Sequence, residues 1–274
     1  MFYDAEKRLW FRQSWLKEFV DCPERARRKA IEKDRPRTTS DAALIGTSVH
    51  TAIQGVLEGR VAPQDIEDAT NEAVLEMLTT EEVNFAKYEA QDLPGHASRC
   101  AKAFVDGILP EVPLGGECEH NFSTIIDEVD GVEIGLTGTV DYVAPDGDQL
   151  WDWKTANKRY SQSQYQKGSL QASTYATALS LQRKVDLPLQ FKFGVMVRGE
   201  RQASSQIVVV QREEQHREWF LKRVRDIARF VIRFGTDEPW ATNEESFLCS
   251  ATWCEFYATC RGSFISKDAD SFNV

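Results

Sequence analysis

GLTGTVDYVAPDGDQLWDWKTA, residues 135–156, is the most informative stretch of the chain. It reads as an apolar strand pattern ending at Asp141, a Pro-Asp-Gly-Asp turn, and a second strand ending in Asp152-Trp153-Lys154. Residues two apart on a strand point to the same face, so Asp152 and Lys154 should project together, with Asp141 on the neighbouring strand. Two carboxylates and one ammonium at a strand end predict a metal-and-water site suited to phosphodiester hydrolysis. Asp-x-Lys triplets are also common as solvated pairs on edge strands, so the surrounding sequence must decide.

Length and composition are those of an ordinary globular chain. It has 274 residues, of which 42% are hydrophobic and 28% are charged. We expect a single domain over residues 1–274. No apolar run approaches the ~20 residues of a transmembrane helix, and the charged N-terminus MFYDAEKRLWFRQSW has no signal-peptide core. These features predict a cytoplasmic protein with no membrane partner.

The net charge of −10 is unevenly distributed along the chain. No acid occurs between residues 153 and 185, whereas residues 65–92 carry nine acids and a single base, Lys87. A basic surface beside the Asp-x-Lys motif would suit a polyanionic substrate, although solvated faces explain such runs equally well. The basic residues that we expect to contact nucleic acid are Lys158, Arg159 and Lys167.

The order of predicted elements is helices, a strand meander, a crossover helix, more strands and a final helix. This order predicts an α/β fold with a mixed central sheet flanked by helices. The predicted helices cover residues 12–21, Ser40 or Asp41 to just before Gly59, about 168–183 and about 212–234. The predicted strands cover residues 117–127, 132–144, 148–153, 189–199 and 204–211. Residues 63–109 are predicted to be helical, with a break near Leu93-Pro94-Gly95, and residues 60–113 to form a helical insertion or subdomain.

Four of the six cysteines form a possible ligand set. Cys249, Cys254 and Cys260 lie close together in FLCSATWCEFYATC, and Cys22 lies far upstream. Three close thiols and one distant thiol could hold zinc or a 4Fe–4S cluster. Buried or free thiols are the alternative. If the site forms, it ties the Cys22 region to residues 239–262 and closes a loop over most of the chain, a strongly stabilising structural clamp.

In their order, these motifs resemble the PD-(D/E)xK nuclease superfamily. Within it the chain is similar to the RecB-like iron–sulfur exonucleases, which include the AddB nuclease domain and CRISPR-associated and phage enzymes. The matching segments are GTSVHTAI with His50, GLTGTVDYV with Asp141, WDWKTA with Asp152 and Lys154, QASTY with Gln171 and Tyr175, and one early and three late cysteines. The resemblance spans nearly the whole chain and is weakest over residues 60–115. The family often has two residues between its second and third cysteines, whereas this chain has four.

The resemblance implies a restriction-endonuclease-like sheet and a role for each matched residue. The implied ligands of Mg²⁺ or Mn²⁺ are His50, Asp141, Asp152 and the backbone carbonyl of Trp153. Lys154 would orient the attacking water or stabilise charge on the phosphoryl oxygens. Residues four apart share one helix face, and the resemblance implies that Gln171 and Tyr175 steady the lysine or contact nucleic acid.

The implied function is a metal-dependent DNA exonuclease acting on single-stranded or end-containing DNA in recombination, repair or replication. The implied second cofactor is a 4Fe–4S cluster, with zinc as the alternative, and the location is the host cytoplasm if a phage encodes the chain. Two alternatives remain open. One is a non-catalytic DNA-binding or scaffold protein with a nuclease fold. The other is the nuclease subunit of a helicase–nuclease or CRISPR adaptation complex, because the chain contains no P-loop and would rely on a helicase or recombination partner.

Overall fold

The computed structural model describes residues 1–32, 39–184 and 186–261. The chain divides into two compact units. The terminal unit comprises Met1–Arg35, Ile125–Leu136 and Lys222–Val274, and the central unit comprises Pro36–Thr124 and Thr137–Leu221. Within the described residues, no helix is both long enough and apolar enough to cross a membrane.

The longer elements follow the predicted order of helices, a strand meander, a crossover helix, two more strands and a long helix, but two short strands that were not predicted come before the first helix. The helices are α1 Gln13–Asp21, α2 Pro23–Ile31, α3 Asp41–Leu57, α4 Ile66–Thr80, α5 Leu93–Gly107, α6 Gln162–Gly168, α7 Leu170–Arg183, α8 Glu214–Phe234 and α9 Tyr257–Arg261. The strands are β1 Phe2–Tyr3, β2 Leu9–Arg12, β3 Thr39–Ser40, β4 Val83–Asn84, β5 Glu117–Val129, β6 Val132–Val143, β7 Gln149–Ala156, β8 Leu189–Val197 and β9 Ser204–Arg212.

The central unit contains a mixed sheet with the strand order β6-β7-β8-β9, and β5 also pairs with β6. The β6/β7 and β8/β9 pairs are antiparallel. The β7/β8 pair is parallel, in register from Gln149↔Gln190 to Ala156↔Val197. A parallel pair needs a long crossover, and α6 and α7 supply it. The predicted mixed α/β fold with helices flanking a central sheet is therefore confirmed.

Local chemistry explains why α3 forms where the sequence predicts. Ser40 caps the helix, its hydroxyl accepting a hydrogen bond from the backbone N–H of Ala43. The buried residues recur at helical spacing, and their burial fixes the orientation of the helix. Gly59 comes after the end of the helix with a φ of 73°, a left-handed conformation that glycine adopts without a steric penalty. This helix carries His50 toward the sheet.

The core of the central unit is formed by α3, α4 and α5 together with one face of β7. Trp151 and Trp153 both lie in this core, and Trp153 meets Phe104 edge to face with ring centroids 5.2 Å apart. Side chains on a strand alternate between faces, so Asp152 and Lys154 lie on the side opposite the tryptophans. Burial of each large aromatic ring contributes about 2 kcal/mol, which anchors β7 firmly.

The terminal unit is held by aromatic packing and one buried carboxylate. Trp240 packs against Trp15 and Phe230, with ring centroids 6.3 and 5.2 Å away. Glu24, only 2% exposed, accepts hydrogen bonds from the guanidinium of Arg27 and from the backbone N–H of Trp240. Residues early in the chain thus contact residues near position 240 within this unit through ordinary side-chain contacts.

Two predictions about the central unit were wrong in detail. Residues 81–92 were expected to be helical, but they form β4, a loop and one 3-10 turn. The Asp41 carboxylate accepts the backbone N–H groups of Lys87 and Tyr88 at 2.6 and 2.8 Å and so removes these donors from any helix. Strand β7 also continues to Ala156, beyond the predicted end at residue 153, because its ladder with β8 extends that far. The Asp-x-Lys motif therefore lies inside a strand.

Candidate active site

The candidate site lies where β6 and β7 separate. Their antiparallel ladder includes the pair Tyr142↔Trp151. Two residues further along β7, the backbone N–H and carbonyl of Trp153 contact side chains. Its N–H donates to Asp141 Oδ2 at 2.7 Å, and its carbonyl oxygen lies 2.7 Å from His50 Nε2. His50 Nδ1 is 3.5 Å from Asp141 Oδ2, so α3, β6 and β7 converge on one point.

Asp152 and Lys154 project together, as the strand periodicity predicts. Asp152 is 2% exposed, and its Oδ2 forms an ion pair with the Lys154 ammonium. Gln171 on α7 donates from Nε2 to the other oxygen of Asp152 at 2.5 Å. Apart from the lysine, Asp152 Oδ2 is enclosed without a hydrogen-bond partner among the described residues. The carboxylate is thus fixed in orientation while one oxygen retains unused acceptor capacity.

The electrostatics of the site favour an added positive charge. Burial and the neighbouring Asp152 raise the pKa of Asp141 well above its ordinary value. Burial also lowers the pKa of His50 and therefore favours its neutral, ligating form. Burial opposes ionisation of Lys154, but the Asp152 and Asp141 carboxylates outweigh it, and the lysine pKa is raised. Two carboxyl groups lie near one ammonium, which pairs with Asp152, so a bound cation would favour ionisation of both acids.

Gln171 and Tyr175 lie on the same face of α7, as their spacing predicts. Tyr175 is 8% exposed and packs between Phe122 and Phe191, with ring centroids 5.5 and 5.7 Å away. Burial raises the pKa of its hydroxyl, with Asp152 adding to the effect. Gln171 contacts Asp152 directly and so fixes a carboxylate.

Sequence reasoning missed Glu119. This residue of β5 lines the same cleft as His50, Asp141 and Lys154, a space of about 620 Å³. Burial raises the pKa of the Glu119 carboxyl, and the charge of Asp152 raises it further. Glu119 has a φ of 49°, an uncommon left-handed conformation for a non-glycine residue that costs about 1 kcal/mol. No local signal identifies it, because a glutamate in a strand pattern is unremarkable until the backbone conformation is known.

The donor set fits a hard divalent cation such as Mg²⁺ or Mn²⁺. Asp141, Asp152 and the Trp153 carbonyl offer oxygen atoms, and His50 offers a nitrogen. Asp152 Oδ2, which is buried and contacts only the Lys154 ammonium among the described residues, keeps acceptor capacity that supports this fit. Over the described ranges, however, no three histidine, cysteine, aspartate or glutamate side chains are close enough to enclose a metal ion as they stand.

The predicted nucleic-acid contacts are exposed. Lys158 and Arg159 come after β7, Lys167 lies on α6, and none forms an ion pair with a described residue. Arg183, from the same acid-free stretch, differs, because it pairs with Glu117. The acid-free stretch therefore contains three exposed bases that follow β7, whereas Lys154 and Arg183 form ion pairs with Asp152 and Glu117.

The four predicted cysteine ligands line one cavity in the terminal unit. The cavity also contains two basic residues, Arg25 and Arg28. Burial raises the pKa values of two of these thiols. The lining cysteines are Cys22, Cys249, Cys254 and Cys260. The structure thus brings one distant thiol to the three late ones, although the described thiols do not form a closed ligand group.

Comparisons with known proteins bear on the family and the fold of this chain. A family model described as the PD-(D/E)XK nuclease superfamily matches residues 12–261. The crystal structure of a putative exonuclease from Eubacterium rectale matches with a TM-score of 0.57 and 14% identity, covering 100% of this chain and 99% of that one. A structure named SSO0001 has a TM-score of 0.42 and 11% identity, covering 96% and 90% of the two chains. The search of curated proteins found no match.

Proposed function

The chain belongs to the PD-(D/E)XK nuclease superfamily, and we propose that it is a metal-dependent deoxyribonuclease that degrades single-stranded or end-containing DNA. One observation carries the proposal. Asp141 and His50 bind the two backbone groups of Trp153, and Asp152 and Lys154 flank that residue on the same strand. We assign the enzyme to recombination, repair or replication in the cytoplasm.

The proposed chemistry divides between a cation and fixed side chains. His50, Asp141, Asp152 and the Trp153 carbonyl would hold Mg²⁺ or Mn²⁺. When bound, the cation supplies a more acidic water and polarises the phosphate. Lys154 approaches the cleft with its ammonium held by Asp152, where it can orient water or neutralise the charge that develops on the phosphoryl oxygens.

Positioning residues would keep this arrangement rigid. Gln171 holds the Asp152 carboxylate, and Tyr175 is fixed between two phenylalanines beside it. In the reaction, a water oxygen forms the new bond to phosphorus, the bond to the leaving sugar oxygen breaks, and that oxygen gains a proton. The exposed bases Lys158, Arg159 and Lys167 would attract the DNA backbone.

The test is digestion of DNA labelled at the 5′ or the 3′ end, beside circular single-stranded DNA, with Mg²⁺ or Mn²⁺. We expect linear DNA to be degraded and circles to persist. Lys154→Ala should lower the rate by about 100-fold or more. Lys222→Ala, on the exposed surface of α8, is the matched control and should retain activity. Equal degradation by the wild type and Lys154→Ala would reject the proposal, and binding of ends without cleavage would favour a non-catalytic scaffold.

A separate proposal concerns the cysteine cavity. We propose that Cys22, Cys249, Cys254 and Cys260 ligate a 4Fe–4S cluster, with zinc as the alternative. A common cavity supports the proposal, and Arg25 and Arg28 in its lining would offset the negative charge of thiolates. Protein purified without air should be brown, with visible absorption that bleaches on reduction. A colourless protein with stoichiometric zinc would instead support the alternative.

The enzyme could also act within a larger assembly. A helicase–nuclease or a CRISPR adaptation complex would supply the ATP-driven unwinding for which this chain has no P-loop. Copurification with an ATPase from the native source would support this version. A fully active isolated chain on duplex ends would oppose it.

A further inference from the structure

Four basic residues gather around one tyrosine in the central unit, and the proposed chemistry uses none of them. The Lys87 ammonium lies 4.8 Å from the ring centroid of Tyr88, and the Arg198 guanidinium lies 6.0 Å from it. The His96 ring is 4.2 Å from the same ring, and Arg99 Nη2 is 2.9 Å from His96 Nδ1. We call Lys87, Tyr88, His96, Arg99 and Arg198 the Tyr88 cluster.

The cluster has hydrogen-bonding capacity that the described chain leaves unused. Arg99 Nε and two nitrogens of Arg198, Nε and Nη1, are buried without an acceptor among the described residues. Buried donors without acceptors are unfavourable and call for an explanation. Acids are abundant nearby in sequence, with nine between residues 65 and 92. Yet no described acid forms an ion pair with Lys87, Arg99 or Arg198.

The electrostatics agree with a concentration of positive charge. Burial lowers the pKa of His96, and Arg99, Arg198 and Lys87 lower it further. Asp92 acts in the opposite direction on the pKa of His96. Like charges held together without counterions repel one another, so an anion bound among them would be stabilising.

The position of the cluster relates it to the candidate active site. The backbone N–H of Arg198 donates to the carbonyl of Ala156 at 2.7 Å, where β7 and β8 end. The Lys87 ammonium donates to Asn157 Oδ1 at 3.1 Å, just beyond that end. Asn157 lies three residues after Lys154, which is about 10 Å along a strand. The cluster therefore lies within a few nucleotides' reach of the lysine.

We propose that the Tyr88 cluster binds a phosphate group of the nucleic-acid substrate, a few nucleotides from the bond that is cleaved. Guanidinium groups present planar pairs of donors that match phosphate oxygens, and the lysine adds a point charge. The inference rests on the proposed function. It adds a second anchoring site, contributed largely by the segment between α4 and α5 and by the first turns of α5. The phosphate could be an internal diester or a terminal monoester.

The experiment measures DNA affinity without divalent metal, so that no cleavage occurs. A fluorescent single strand is titrated with wild type, Lys87→Gln, Arg99→Gln and Arg198→Gln at several salt concentrations. Losing one phosphate contact should flatten the slope of log K against log salt by about 0.7 and weaken binding about fivefold near 0.1 M salt. Lys102→Gln is the matched control. It lies on α5 three residues from Arg99 but pairs with Asp106, and it should bind like wild type.

Three substrates separate the two phosphate sources. If a terminal monoester is bound, the three variants differ from wild type only on a 5′- or 3′-phosphorylated strand. If an internal diester is bound, the same loss is seen on unphosphorylated and circular strands. Lys87 is exposed, so Lys87→Gln keeps the test informative even if an arginine variant unfolds.

Wild-type affinity and salt slope in Lys87→Gln and in the folded arginine variants would overturn the inference. Cleavage by wild type, compared with Lys154→Ala, tests the proposed function, and DNA binding by the Tyr88 cluster variants tests this inference. If wild type never cleaves DNA but the Tyr88 cluster variants lose affinity, the phosphate site stands and the nuclease proposal falls. If wild type cleaves DNA and the Tyr88 cluster variants bind DNA like wild type, the nuclease proposal stands and the phosphate site falls.

Discussion

The candidate active site and the cysteine cavity are both built from residues far apart in sequence, but different forces hold them. In the central unit, Asp141, His50, Asp152 and Lys154 already contact one another or the Trp153 backbone between them. In the terminal unit, the cysteines only line a cavity, and Glu24 and aromatic rings packed edge to face hold the surrounding segments. A motif thus predicts which residues lie near one another. Packing of the surrounding segments determines whether those residues contact one another without a cofactor.

Substitution of Asp152, in the candidate active site, should give the largest loss of activity with little change in stability. Asp152→Asn should lower the rate of DNA degradation by about 1,000-fold, because it removes a proposed cation ligand and the partner of Lys154. Stability should change little, since the substitution also removes a buried negative charge beside Asp141. Single-turnover rates and urea unfolding measure the two effects. Unfolding of the protein without loss of rate per folded molecule would show that Asp152 is structural.

Trp240→Ala should have the opposite profile. Losing the ring packed on Trp15 and Phe230 should lower the free energy of unfolding by about 3–5 kcal/mol. The rate per folded molecule should remain near wild type. Trp253→Ala is the control, because Trp253 is 60% exposed and its removal should change stability by less than about 0.5 kcal/mol. Equal losses in the two variants would contradict the assignment of Trp240 as an anchor.

Glu24→Gln should destabilise the protein by about 2–3 kcal/mol at pH 7. Burial opposes ionisation of Glu24, but hydrogen bonds from Arg27, Arg28 and the Trp240 N–H prevail and lower its pKa. The stabilisation is therefore present above the ordinary glutamate pKa, about 4.3, and is lost as pH falls through the lower folded value. Urea unfolding between pH 7 and pH 3 should show the difference from wild type shrinking.

Glu238→Gln, on an exposed residue of the same unit, controls for loss of a surface charge. It should match wild type at every pH. A Glu24→Gln penalty that does not change with pH would show that the ionised carboxylate is not the stabilising species.

The mildest substitution concerns the rim of the candidate site. Glu119→Gln should change the rate by about fivefold or less, because the side chain lines the cleft and, among the described residues, forms no ion pair with the proposed ligands. Mn²⁺ titration monitored by electron paramagnetic resonance would show whether cation affinity changes with it. A loss as large as that of Asp152→Asn would place Glu119 among the principal ligands.

Features that depend on local periodicity are predictable from this sequence, whereas features imposed by tertiary contacts are not. Strands β6 and β7 and the common face of Asp152 and Lys154 result from alternation along a strand, and α3 results from helical spacing and its Ser40 cap. The helix expected over residues 81–92 does not form, because the buried carboxylate of Asp41, distant in sequence, accepts hydrogen bonds from backbone N–H groups of that segment.

The Tyr88 cluster was unpredictable for a related reason. Lys87 is the single base in an acidic run, and Arg99 and Arg198 come from segments that are far apart in sequence. Glu119 depends on a backbone angle that a strand pattern does not reveal. Sequence patterns therefore identify the residues matched by motifs and miss those brought together by the fold.

The backbone of Trp153 makes this residue a native spectroscopic probe. The indole of Trp153 belongs to the core, so its position is fixed. The backbone N–H of Trp153 donates a hydrogen bond to Asp141. The chemical shift and exchange rate of that single amide should therefore respond to whatever occupies Asp141. An isotope-labelled sample could report cation arrival at one resonance, with no attached dye and no substituted residue.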